Sequence, residues 1–275
     1  MNWKKFASII LAVGVAGAIL SGCGATEKKD AADSADKEIK IGATAGPHAE
    51  VAEEVAKEAE KQGIKVKVVE FSDYLMPDTA LAEGQLDLNS YQHAPFLQNF
   101  TQQNNADLIP IGTTILMRMG IYSNKYHDIK DIPDNATIAV PNDPTNGGRG
   151  LMLLEKAGLI KLKEGVGFKA TTADIAENPK HLKIQELEAA QLPRSLDDVD
   201  AAAITMNYVM SGGLDVKKQG IFLEDKTEPL AVMILAARAA DKDNPTYKKI
   251  AEIFHSPAVK QFIEEKYKGT IEPAE

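Results

Sequence analysis

An α/β fold with mostly parallel sheets, arranged as two lobes, follows from three features of the 275-residue sequence. Strand-like and helix-like patterns alternate from Glu38 onward. The length suits one large or two modest domains, and the absence of a short internal repeat removes solenoids and propellers.

The elements run as follows. Ile39 to Gly42 has a strand pattern, Pro47 opens a helix whose buried face is Val51, Val55 and Ala59, and Ile64 to Phe71 forms the next strand. This is a βαβ unit. A strand is expected from Leu86 to Asn89, a helix near Pro95 to Gln103, and a strand near Leu108 to Thr114. Thr137 to Val140 forms another strand, with a helix from Asn146. Strands follow near Leu182 to Leu187, Ala201 to Ile204 and Ala231 to Ala237. Helices from Asn244 to Phe254 and from Ser256 to Tyr267 end the chain.

Composition narrows the function. With 44% hydrophobic and 26% charged residues the chain is ordinary for a globular protein, and a formal net charge of −9 without a basic block argues against a nucleic-acid partner. Lys4 and Lys5, the uncharged run Phe6 to Leu20, and then Leu20-Ser21-Gly22-Cys23 come in the order of an export signal. The run is short for a bilayer span. Leu-Ser-Gly-Cys resembles a bacterial lipobox, which makes residues 1–22 a signal peptide and Cys23 the lipidated first residue of the mature chain. Its removal takes two lysines from the formal charge of −9 and leaves −11. Cys23 is the only cysteine, so the folded part has no disulfide and no thiol nucleophile. Residues 23–37 are small and polar beyond the cysteine and form a flexible tether, spanning about 20 Å.

Two α/β lobes place a ligand in the crevice beyond the carboxyl ends of their strands. Three loops there carry residues that can grip a small molecule. Tyr74, Tyr91, His93 and Phe96 put four rings at the ends of neighbouring strands, which suits an apolar or thioether side chain or equally a packed core. No second histidine at metal spacing accompanies His93. Pro141 to Gly150 runs from a strand into a helix, so free backbone N–H groups there form an anion site, and Arg149 adds a fork matched to a carboxylate. An arginine in such a cleft is expected to be hydrated until a ligand arrives. The bland reading is an N-capped helix with an exposed arginine. No Gly-Lys-Ser/Thr follows, which excludes a nucleotide P-loop. Thr205 and Asn207, at a strand-to-helix transition, can accept hydrogen bonds from a ligand amine or cap the helix.

Five stretches carry a resemblance: Phe71-Ser-Asp-Tyr-Leu-Met-Pro, Asn89-Ser-Tyr-Gln-His-Ala-Pro, Val140-Pro-Asn-Asp-Pro-Thr-Asn-Gly-Gly-Arg, Leu187-Glu-Ala-Ala-Gln-Leu-Pro-Arg-Ser-Leu-Asp-Asp and Gly220-Ile-Phe-Leu-Glu-Asp-Lys. In order and spacing they resemble the methionine-binding, NlpA-type lipoproteins over nearly all of the mature chain. The resemblance implies a type II-like two-lobed periplasmic-binding-protein fold, with lobe I over residues 38–120 and 230–275 and lobe II over 121–229. It implies no cofactor. It also implies a lipid anchor on the outward face of a bacterial cell membrane, an amino-acid or short-peptide ligand such as methionine, and the permease and ATPase of an ABC transporter as partners. By the same resemblance Tyr74, Tyr91, His93 and Phe96 form the side-chain pocket, and Asn146 with Arg149 the carboxylate clamp. The sequence departs from that pattern where Thr205 and Val232 replace asparagines that help hold the ligand amine, and where Met117-Arg118-Met119-Gly120 replaces Glu-Pro-Met-Gly and brings in a cation. A different ligand, or an adhesive or antigenic surface role, stays open on these grounds. An enzyme in the crevice is disfavoured, because no Ser/His/Asp or Cys/His set, metal motif or dinucleotide fingerprint is present in the sequence.

Overall fold

The computed structural model describes residues 38–274. The expected signal peptide, Cys23 and the tether lie outside them. β1 (Ile39–Thr44), α1 (Pro47–Glu60) and β2 (Val66–Phe71) form the βαβ unit the hydrophobic pattern predicts, with Val51, Val55 and Ala59 of α1 buried. Next come α2 (Met76–Ala82) and β3 (Leu88–His93). The sequence pattern ends β3 at Asn89, whereas the strand continues through Ser90 to His93. All six of its residues are buried, in the middle of a sheet, and the amide nitrogens of Asn89 and Gln92 find a partner inside. Asn89 Nδ2 and Gln92 Nε2 donate to Asp78 Oδ1 at 2.8 and 2.6 Å. A strand buried on both faces and carrying polar residues gives no hydrophobic alternation to read.

The chain continues through α3 (Ala94–Asn104) and β4 (Leu108–Leu116), then crosses to β5 (Met119–Tyr122), β6 (Thr137–Pro141) and α4 (Pro144–Lys156). A small hairpin of β7 (Lys161–Leu162) and β8 (Ile175–Glu177) follows, then β9 (Lys183–Leu187) and α5 (Leu192–Ser195). β10 (Ala201–Thr205) leads directly into α6 (Met206–Ser211), followed by α7 (Val216–Gln219) and β11 (Gly220–Leu223). β12 (Val232–Arg238), α8 (Pro245–Phe254), α9 (Pro257–Tyr267) and β13 (Glu272–Pro273) complete it.

The strands form a six-stranded sheet, β13-β4-β12-β3-β1-β2, and a five-stranded sheet, β11-β5-β10-β6-β9. The expectation of mostly parallel sheets is corrected to mixed ones. β1 pairs in parallel with β2 and β3, and β6 with β9 and β10, because helices return the chain between them. β5 and β12 enter antiparallel to their neighbours, since the chain reaches each by crossing between the sheets, while β11 and β13 follow helices within their own sheets and pair antiparallel with β5 and β4. Sheet membership changes between β4 and β5 and again between β11 and β12. Those two crossings lie side by side: Met117 N donates to Ala231 O at 2.7 Å, and Glu224 N to Met119 O at 3.0 Å.

The start of α4 shows how backbone demands set sequence. Its three early glycines disfavour a helix by roughly 1 kcal/mol each. Two of them, Gly147 and Gly148, are present because the helix is seated against backbone there. A Cβ on Gly148 would lie 2.0 Å from Phe168 O, and one on Gly147 2.7 Å from Pro141 O. No helix among the described residues is long and apolar enough to cross a membrane.

Candidate ligand-binding site

One cavity lies at the carboxyl ends of β1, β2, β3, β6 and β10, bringing together elements of both sheets. Its lining includes all eight residues the sequence singles out: Tyr74, Tyr91, His93, Phe96, Asn146, Arg149, Thr205 and Asn207. His48, Gln92, Met117, Met206 and Met233 complete it. No aspartate or glutamate is among these lining residues.

The rings pack against one another. Tyr74 lies 6.0 Å from Tyr91 and 6.1 Å from Phe96, the latter edge-on, and Phe96 meets His93 edge-on at 6.2 Å. Three methionines add soft, polarizable surface to the lining. Tyr91 Oη donates to Tyr74 O at 3.1 Å, and Tyr74 Oη shares a hydrogen bond of 2.9 Å with Thr205 Oγ1. The second bond joins the loop after β2 to the end of β10. Burial holds both phenols protonated by pushing their pKa values up.

His93 is positioned by its own helix. Phe96 N donates to His93 Nδ1 at 3.2 Å, so the ring proton belongs on Nε2, which lies 3.2 Å from Asn146 Oδ1. Burial first, and then the charge of Arg149, push the His93 pKa down to about 3. The ring is neutral at physiological pH. Asn146 is committed on its other side as well, since its Nδ2 donates to the Asp143 carboxylate at 3.1 and 3.2 Å.

Two expectations about the loop before α4 are corrected. Its backbone N–H groups are not free for an external anion, because Asp143 Oδ1 accepts from Asn146 N at 2.8 Å and Thr145 N at 3.3 Å. The chain supplies its own carboxylate at that helix mouth. Nor is Arg149 a hydrated cleft arginine. It is 2% exposed, and its Nε and Nη2 donate to Glu224 Oε1 and Oε2 at 2.7 and 2.6 Å, with Nη2 also on Met117 O at 3.1 Å. Glu224 Oε2 also accepts from Met119 N at 2.6 Å, which ties the pair to the crossing between the sheets. A guanidinium facing a low-dielectric cavity needs a counter-charge, and Glu224 sits too far along the chain for local pattern to reveal it.

The departures from the family pattern also find places. Arg118 is half-buried, directs Nη1 toward Glu224 O at 3.5 Å and is not part of the cavity lining, so it brings no cation to the pocket. Val232 is outside the lining too, and its neighbour Met233 is within it. Asn207 is not held as a helix cap. It is 2% exposed, and neither its Oδ1 nor its Nδ2 has a hydrogen-bond partner within ordinary distance, although it lies near enough to the Tyr74 hydroxyl to oppose the rise that burial gives that phenol's pKa. His48 Nδ1 and Gln92 Oε1 are unpaired in the same way. Sequence reasoning missed His48 because a residue after a helix-opening proline reads as surface or core. The glycine before that proline, which leaves the start of α1 without a side-chain cap, was the available signal. Among the described residues no group of three or more His, Cys, Asp or Glu is placed to hold a metal ion.

Strand ends from two α/β sheets converging on one pocket define the two-lobed periplasmic-binding-protein class. The chain belongs to the NlpA lipoprotein family, whose model matches residues 39–275. It is 42% identical over 273 residues to the D-methionine-binding lipoprotein MetQ of Salmonella typhimurium, covering 98% of this chain and 97% of the relative. Among solved structures, a nutrient-binding protein from Burkholderia cenocepacia bound to methionine is 47% identical with a TM-score of 0.83, covering 86% of this chain and all of the other. A lipoprotein structure from Bacillus subtilis, 36% identical with a TM-score of 0.84, covers 88% of this chain and 99% of its own.

Proposed function

We propose that this chain is a membrane-anchored solute-binding lipoprotein that captures methionine, or a related amino acid or short peptide, and delivers it to an ABC importer. The observation that carries this reading is the cavity itself, in which aromatic and methionine side chains surround a few buried polar atoms that lack partners. A thioether side chain fits the soft, apolar part. An amino-acid head fits the polar part, because it brings donors and acceptors to groups that otherwise stay unsatisfied at a cost of about 1–3 kcal/mol each. The eight residues named from the sequence act as the ligand site in this reading, with Arg149 held in place by Glu224. The relatives described as methionine-binding support the same class of ligand. The chain binds its solute without transforming it, as a member of a substrate-binding family. Lobe boundaries near residues 120 and 230 are part of the proposal, and the permease and ATPase are the partners it implies.

Residues 1–22 act as the signal, Cys23 carries the lipid, and residues 24–37 tether the domain on the outward face of the membrane. Mass spectrometry of small molecules released from freshly purified protein tests the ligand directly: an amino acid or short peptide supports the reading, and an unrelated solute overturns it. Anchoring is tested separately. Cys23→Ala should move the protein from the membrane to the soluble fraction without changing its unfolding midpoint, and retention of that variant on the membrane would contradict lipidation there.

A further inference from the structure

The polar head of the ligand meets an unusual inventory. No carboxylate lines the cavity, and Glu224 behind it is engaged by Arg149 and Met119 N. An ammonium entering this space therefore has no counter-charge and must be held by neutral acceptors. Thr205 is an incomplete answer, since its hydroxyl is shared with Tyr74. Asn146 is occupied on both sides of its amide. Four of the seven buried side-chain atoms without partners belong to lining residues, namely His48 Nδ1, Gln92 Oε1 and both amide atoms of Asn207.

Among these, His48 and Asn207 stand on adjoining helices. α1 follows β1 of the larger sheet and α6 follows β10 of the smaller, and the two helices touch. A Cβ built on Gly46, two residues before His48, would lie 3.8 Å from Asn207 Oδ1. Both side chains are 2% exposed, and burial keeps the imidazole neutral, with its pKa pushed down to about 3. A neutral imidazole offers one lone pair, and an amide offers an acceptor and a donor side by side. Gln92 differs, because its amide nitrogen is drawn to Asp78 and Asn89.

We propose that His48 and Asn207 together form the amine-holding subsite of the cavity, with Asn207 Oδ1 and His48 Nδ1 accepting from a ligand ammonium, and Asn207 Nδ2 left for an oxygen of the same ligand head. The inference rests on the proposed binding function and adds to it which groups recognise the amine. The bound amine joins α1 to α6, and so links elements that follow different sheets.

Calorimetric titration of the mature chain with L-methionine and with its des-amino analogue, 4-(methylthio)butanoate, tests it. The wild type should prefer L-methionine by at least about ten- to a hundred-fold, the scale of one hydrogen bond to a charged group. Asn207→Leu and His48→Leu should each shrink that preference by weakening the amine-bearing ligand while leaving the analogue within a few fold. Equal binding of the two ligands by the wild type overturns the subsite without requiring any variant to fold. An undiminished preference in both variants, each folded by thermal unfolding, overturns it as well. Binding of neither ligand by the wild type instead contradicts the methionine-class reading on which the subsite rests.

Discussion

Where β4 gives way to β5, the buried polar groups of Arg149, Glu224, Met117 and Met119 satisfy one another. Where α1 meets α6, those of His48 and Asn207 have unpaired atoms at equal depth. The first corner is a structural joint. Its charges cancel, and its geometry ties α4 to both chain crossings between the sheets. The second corner costs stability with nothing gained inside the fold, which is the arrangement expected of groups kept for a ligand. Burial alone therefore does not tell these two corners apart, whereas hydrogen-bond satisfaction does.

Breaking the satisfied corner should have the largest effect. Arg149→Ala strands Glu224 without its partner and should cost about 3–5 kcal/mol of unfolding free energy in urea titrations. Replacing both residues at once, Arg149→Met with Glu224→Met, should recover most of that loss, because no charge is left alone. A ligand titration on the same folded double variant then separates the two roles: lost affinity would show that Arg149 also serves the ligand.

Acid should act on the histidines next. His48 and His93 are both held down to about 3, below the ordinary value of 6.5, so the unfolded chain takes up protons first as pH falls. Their contribution is fully present above pH 6.5 and is lost progressively between 6.5 and 3, by a few kcal/mol each. Asp78 and Asp143 work against this trend, since burial raises their pKa values. Stability measured across that range should fall less steeply in His93→Gln than in the wild type, and an equal slope would contradict a neutral buried His93.

A smaller effect is expected at the bond between the two sides of the cleft. Tyr74→Phe removes the hydroxyl shared with Thr205 and should cost about 0.5–1.5 kcal/mol. A loss above this range would place more of the closure on Tyr74 than one hydrogen bond provides.

Much of this was legible in the sequence, though unevenly. The βαβ units around β1 and β6 follow from apolar periodicity and helix-opening residues such as Pro47, and the aromatic group follows from strand ends. β3 beyond Asn89 was hidden because its polar residues pair with Asp78 deep in the sheet. The state of Arg149 was hidden for another reason: Glu224 lies 75 residues away, and only the antiparallel return of the chain brings it close. Met206 and Met233 read as ordinary core, and only the cavity separates them from it. What was illegible was thus the pairing between distant elements, more than the elements themselves.

The central claim is that the unpaired corner belongs to a ligand site, and ligand-dependent thermal unfolding of the mature, delipidated protein addresses it most directly. A bound solute adds RT ln(1 + [L]/Kd), about 2.7 kcal/mol at a hundred-fold excess over Kd, which corresponds to roughly 5–10 °C for a chain of this size. L-methionine or a methionine-containing dipeptide should raise the midpoint by that amount in the wild type and by much less in Asn207→Leu. An unchanged wild-type midpoint with every amino acid and dipeptide tried at millimolar concentration would contradict the account.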